Sequence, residues 1–324
     1  MPAERIAESL AFINWTVLTA LGVGAFAAVV AGRFRTDATR GYLAFTAFSA
    51  AGFALLAALA DTGLPVLSPE LAVRADPTWE GPRRIALLAL PVLAASYGVA
   101  LLAALADSGL PVLSPELAVR ADPTWEGPRR IALLALPAIA AIYGLALLRG
   151  SHATPIALAG LAAAALVLIA GALSWGGGGL GSLLLLVELA GLATVLGGVW
   201  AAMILGHWYL VTPRLPEAPL VRFARWLGLA LALQLVLFVV WLGFGAGPAG
   251  APAFAALVGD WALFIWLRLL VGLVFPLVVS WAAIQTARSR SMESATGLLY
   301  INVGTIAAGT ILAAGLYFGA GLLV

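Results

Sequence analysis

Nine apolar stretches, each roughly twenty residues or longer, follow one another along this chain with few charges inside them. They lie near residues 10–31, 41–60, 85–106, 131–149, 154–174, 181–208, 227–246, 257–285 and 296–322. A helix needs about 20 such residues to cross ~30 Å of hydrocarbon. In lipid every backbone polar group must be paired within the protein, so only helices and closed barrels span it. The short alternating segments of a barrel are not in the sequence. The expected fold class is therefore all-α: a polytopic transmembrane helical bundle, one membrane-embedded domain over residues 1–324, multi-pass in the inner (plasma) membrane.

Composition points the same way. The chain is 63% hydrophobic and 10% charged, against about 45–50% and about 25% in soluble domains. All 17 basic residues are Arg. They are scattered between apolar stretches rather than clustered on one face, which is no footprint for nucleic acid. Cysteine is absent, which excludes disulfides, thiolate nucleophiles and Cys-ligated metals. The first residues carry Glu4, Arg5 and Glu8 in place of a basic leader and a small-residue cleavage site, so the first span is expected to be a retained anchor.

An internal repeat complicates the count. Residues 55–91 match residues 101–137 at every position but one, Thr62 against Ser108, and weaker similarity extends the units to 55–98 and 101–144. Transporter repeats are ordinarily faint; near-identity reads as a tandem duplication of 46 residues, or as an error in the assembly of the sequence. Each copy holds one loop and one span. In the loops, Ser68-Pro69-Glu70 and Ser114-Pro115-Glu116 read as helix starts, Ser at the N-cap and Pro at the first helical position. Trp79 and Trp125 are expected at the membrane interface.

Arg-rich loops prefer the cytoplasm. Arg33, Arg35 and Arg40 mark the first loop, Arg214, Arg222 and Arg225 the loop after span six, and Arg288 and Arg290 the loop after span eight. With nine full spans the first of these loops lies opposite the other two. With one copy removed, all three share a face with Arg149, and both termini lie outside. The expectation is eight ancestral spans plus one from the duplication, whose extra copy either is re-entrant or interfacial, or spans fully and inverts the early part.

Gly24, Ala28 and Gly32, and again Gly315 and Gly319, follow the small-xxx-small spacing of closely packed membrane helices. Trp208, Tyr209, Trp261 and Trp281 stand near span ends, as aromatic belts do. The run Gly176 to Gly179 reads as a turn; it lacks the Lys-Ser/Thr of a phosphate cradle. Asp260 is expected as a cap for the helix that follows it.

Charges within a span are costly, about 2.5–3.5 kcal/mol on insertion scales, and are commonly functional. Two stand out: Glu188 in LLLLVELAGL and Arg268 in FIWLRLLVG. Counting ~1.5 Å per residue from the span starts puts both some 10–12 Å below the outer surface, so an ion pair between them is expected. It is first a register-fixing contact, second the centre of a site; the remaining reading is that the side chains snorkel to the outer interface. Pro276 removes a backbone donor opposite Gly272 and is expected to kink that span. A second polar group, His207, Gln234, Gln285, Glu293, Tyr300 and Asn302, is expected toward the cytoplasmic half. His207 could serve a haem, a proton or an interfacial hydrogen bond; beside Trp208 and Tyr209 the interfacial role is the expected one, and the only other histidine, His152, is in a loop, which argues against bis-histidine haem ligation.

No catalytic triad, HExxH motif or carboxylate pair is present, no metal-ligating set is recognisable, and the sequence specifies no cofactor. Three functions fit, in this order: translocation of a small solute, lipid or ion; a non-catalytic membrane subunit of a larger, respiratory-type complex, with partner membrane subunits; and a membrane enzyme acting on lipid or quinone. The lipid bilayer is the partner common to all three.

Overall fold

The computed structural model describes residues 5–6, 9–62, 64, 119, 122–151, 153–212, 215–244 and 253–324. Among these residues helix dominates and no strand forms. Eight helices are long and apolar enough to cross a membrane, and the chain is a polytopic helical membrane protein. They are α1 (Leu10–Arg35), α2 (Arg40–Thr62), α3 (Glu126–Leu148), α4 (Thr154–Trp175), α5 (Gly179–Val211), α6 (Ala218–Gly243), α7 (Ala262–Arg288) and α8 (Met292–Ala320). The expected span at 85–106, both Ser-Pro-Glu helix starts, Trp79, His152 and Arg214 lie outside the described residues.

Local chemistry explains the ends. Proline stands in the first helical positions of α4 and α6, where its missing N–H costs nothing. Between α4 and α5, Gly177, Gly178 and Gly179 have φ of 70°, 84° and 53°; three consecutive left-handed residues are cheap only for glycine. The Gly178 N–H donates to Ser182 Oγ at 3.2 Å and closes that turn. Asp260 precedes the N-cap of α7, Trp261, and α7 has no side-chain cap bond.

Helix α1 is the hub. It has 72% of its apolar window inside the protein, against 33% for α6 and α7, and it packs on α2, α4, α5 and α8. Lipid tails are as apolar as leucine, so helices associate through close fit rather than through exclusion of water. The α1–α5 crossing shows this: a methyl group on Gly24 would overlap the Ala193 carbonyl, and one on Gly197 would overlap the Gly24 backbone. Gly32 seats against Phe223 and Leu43, and Gly315 against Ile13 and Ile6. At one end of the bundle Phe12, Trp15, Trp175 and Phe318 interlock, with Trp15 edge-on to Trp175 at 4.5 Å and Phe12 stacked on Phe318 at 4.7 Å.

Loop contacts fix the orientation. The Arg222 guanidinium donates to the Arg35 carbonyl, Arg290 Nη2 to the Leu215 carbonyl at 3.4 Å, and Gly150 lies against the Arg40 guanidinium. The α1–α2, α3–α4, α5–α6 and α7–α8 connections therefore share one end, which gathers Arg33, Arg35, Arg40, Arg149, Arg222, Arg225, Arg288 and Arg290. This is the end that the distribution of arginine assigns to the cytoplasm. Leu64 and Val119, which flank the repeat's undescribed part, both belong to the opposite, outer end. The described helices thus form the eight-span arrangement, not the one in which the first loop is inverted.

Candidate functional site

The second half of the chain holds most of the polar groups buried within the bundle. Glu188 lies nine residues into α5 and Arg268 six into α7, which sets both about 9–14 Å from the outer helix ends. Both are buried, and Arg268 Nη2 stands 3.6 Å from Glu188 Oε1. That is an ion pair without a hydrogen bond, and Glu188 Oε1 has no hydrogen-bond partner. Arg268 has five N–H donors, yet among the described residues it makes one hydrogen bond, from Nε to the Val324 oxygen at 3.4 Å.

Gln234 joins them from α6. Its amide meets α5 at Gly191, one helical turn from Glu188, where a methyl group would sit 3.0 Å from Nε2. Gln234 is 4% exposed, and neither its Nε2 nor its Oε1 has a hydrogen-bond partner. Unpaired buried polar atoms cost about 1–3 kcal/mol each, and native proteins retain few of them. Three such atoms, one on Glu188 and two on the side chain that meets α5 a turn away at Gly191, mark a place prepared for another polar group.

The backbone beside Arg268 is irregular. Residues Leu270–Val274 form a π-helical turn, with Pro276 two residues beyond it. Proline cannot donate to the carbonyl four residues back, and the helix takes up the mismatch by widening; π-turns of this kind recur at functional sites. Here α7 also touches α8 backbone to backbone. A methyl group on Gly272 would lie 2.6 Å from Gly309 Cα, and one on Gly309 3.1 Å from Arg268 Nη1. Farther in, Asn302 Nδ2 on α8 donates to Ser280 Oγ at 2.8 Å and to the Pro276 carbonyl at 3.2 Å, while Asn302 Oδ1 is unpartnered. That clamp holds the inner half of α7. The outer half, which carries Arg268, is attached across the π-turn.

The structure divides the expected second polar group. Gln234 and Asn302 turn inward; His207, Gln285, Glu293 and Tyr300 are on the outside. Of these four, His207 and Tyr300 meet, with Tyr300 Oη 3.5 Å from His207 Nδ1. Among the belt residues, Trp281 faces outward, whereas Tyr209 is buried and donates to the Pro216 carbonyl at 2.5 Å.

A second charged centre was not singled out in the sequence. Asp61 at the end of α2 and Arg129 at the start of α3 are both buried, with Arg129 Nε donating to Asp61 Oδ1 at 2.5 Å. Arg129 Nη1 donates to Ser174 Oγ at 2.8 Å, and the guanidinium lies 4.6 Å from the Trp175 ring centre. Arg130 adds a 3.2 Å contact to Asp61 and a 2.6 Å contact to Glu126. Beside it, Asp122 accepts from the Thr124 hydroxyl at 2.7 Å and from the Thr124 N–H at 3.0 Å. These bonds hold its carboxyl below the usual carboxylate range. Each charge in this centre is answered, so it reads as a clamp. The signal that could have found it was two opposite charges at the adjoining ends of successive described spans.

No group of His, Asp and Glu among the described residues could hold a metal ion. No protein-family model matches the chain, and no curated protein or solved structure matches it either.

Proposed function

We propose that this protein translocates a small polar solute or ion through the α5–α8 half of the bundle, with Glu188 and Arg268 as the gate. The observation that carries the reading is the incomplete pairing of that site: two buried opposite charges at 3.6 Å, without a hydrogen bond between them, with an unpartnered amide a turn away along α5. A pair kept only to fix helix register would be closed and fully hydrogen-bonded, as Asp61–Arg129 is, because a half-satisfied buried pair costs more than it returns. The π-turn, Pro276 and the Gly272–Gly309 contact give α7 a joint at the charge pair's own height. Such broken helices in transporters lie at the binding site.

The test is reconstitution of the purified chain into liposomes and measurement of the flux of protons, sodium, potassium, chloride, nitrate and small neutral solutes. Flux of at least one above that of protein-free vesicles, lost in R268A, is the expected outcome. Vesicles that pass none of them faster than protein-free controls would overturn the reading.

A further inference from the structure

We infer that the solute is a small monovalent oxyanion, bound by Arg268 and carried together with one proton that Glu188 takes up. This rests on the translocation reading and adds the substrate's charge and its coupling.

The argument is one of charge conservation in a low-dielectric interior. Arg268 stays protonated in proteins, so the empty site is neutral only while Glu188 is ionised. A guanidinium presents a planar fork of donors that suits carboxylate-like anions. Arg268 has donors to spare: one weak hydrogen bond at 3.4 Å and a carboxylate standing off at 3.6 Å. The Gln234 amide offers a further N–H donor beside Gly191.

An anion that enters this fork displaces Glu188 from Arg268 and leaves the site with two negative charges against one positive. An uncompensated charge at such depth is heavily penalised. Protonation of Glu188 removes the penalty: one O–H bond forms on its carboxyl, the proton is given up by a hydronium ion of the solution that supplies the anion and leaves water behind, and Arg268 cation, anion and carboxylic acid are together neutral. Gln234 Oε1, unpartnered and on the side chain that meets α5 one turn from Glu188, is the acceptor this inference assigns to the acid. A cation would meet the opposite situation, since it would have to be accommodated beside Arg268.

Among the described residues no other charged side chain on the helices packed around the pair reaches its depth, and the Val324 oxygen, which accepts from Arg268 Nε at 3.4 Å, is the further polar group set against that guanidinium. On α1 the charged groups are Arg33 and Arg35, at the cytoplasmic end; on α6 they are Arg222 and Arg225 at that same end; α4 has none; and on α8 Glu293 is in the first, cytoplasmic turn. Tyr317, toward the outer end of α8, gives its hydroxyl hydrogen bond to the Trp175 carbonyl. Among the described residues Arg268 is the charge set against Glu188.

The test uses the full chain in liposomes loaded with a pH-sensitive dye, with nitrate, a planar oxyanion that does not protonate near neutral pH, as the probe. An inward nitrate gradient is expected to acidify the lumen, one proton entering per nitrate counted by ion chromatography, at a rate insensitive to an imposed potassium–valinomycin potential. In E188Q, permanently neutral at that position, nitrate uptake is expected to persist with loss of acidification and to become potential-dependent. If E188Q does not fold, the wild-type stoichiometry and its independence of potential decide alone. Nitrate flux without protons in the wild type, or flux of cations or neutral solutes without nitrate, overturns this inference and leaves translocation standing. No flux of anything overturns both.

Discussion

Arg129 reaches back across 68 residues to hold Asp61 at 2.5 Å, and the two belong to different copies of the repeat. Asp61 matches Asp107 in the other copy, and Arg129 matches Arg83. Within the bundle this contact joins α2 directly to α3 and ties both to α4 through Ser174. Both side chains are almost fully buried, at 0% and 5% exposed. Removing one member strands the other, an effect of about 3–5 kcal/mol. D61N is therefore expected to lower the detergent-solubilised melting temperature strongly. R130A, which deletes a side chain 40% exposed, is expected to cost no more than about 1 kcal/mol. Equal losses in the two variants, measured by scanning fluorimetry, would contradict the assignment of the clamp to Arg129.

Removal of residues 65–110 deletes 46 positions and rejoins Leu64 to Pro111, which restores the local sequence GLPVL that the first copy already has. Asp61, Arg129 and all eight described helices survive the deletion. Leu64 and Val119 lie at the same end of the bundle, so the shortened link need not cross the membrane. The shortened chain is expected to express, insert and melt within a few degrees of the full chain. A chain that aggregates after this deletion would show that the removed segment contributes to the fold.

All eight described helices follow from apolar length alone, with ends displaced by up to nine residues; α6 starts at Ala218 rather than near 227, because Pro219 can open a helix that the apolar run does not yet require. Depth was legible too. Counting residues from span ends put Glu188 and Arg268 at one height, and they lie 3.6 Å apart. Azimuth was not. Tyr300 and Asn302 stand two residues apart on α8, yet one turns outward and the other inward. In water an amphipathic stripe would tell the faces apart. In lipid the outer face is as apolar as the core, so a span such as α5 carries no such stripe. Asp61 and Arg129 are illegible for a related reason: at the ends of spans they read as solvated loop charges, and only the packing of α2 on α3 buries them.

Where backbones touch, the smallest side chain matters most. A methyl group on Gly24 would overlap the Ala193 carbonyl, and backbone cannot swing aside as a flexible side chain can. G24A is expected to destabilise the bundle by about 1–3 kcal/mol or to prevent assembly. At Gly52 a methyl group meets nothing within 4 Å, and alanine is the better helix former by roughly 1 kcal/mol, so G52A is expected to be neutral or slightly stabilising. The two melting temperatures, compared in one detergent, separate close packing from a general intolerance of substitution in α1 and α2.

The absence of cysteine makes the arrangement of ends directly testable, because any introduced thiol is the only one. The contacts of Arg222 with Arg35, of Arg290 with Leu215 and of Gly150 with Arg40 place four connections on one face. Single cysteines at Ser151, Glu217 and Ser289 are therefore expected to react with a membrane-impermeant maleimide only after the cytoplasmic face is opened. Cysteines at Gly177 and Val258, both well exposed, are expected to react in intact spheroplasts. Gly177 tests the α4–α5 turn at the outer end of the clamp, and Val258 tests the approach to α7 just above Arg268. If Ser151 and Gly177 label from the same side, α4 does not cross the membrane. If Glu217 labels from outside while Ser151 does not, the four connections are not on one face, and the common height of Glu188 and Arg268 loses its meaning.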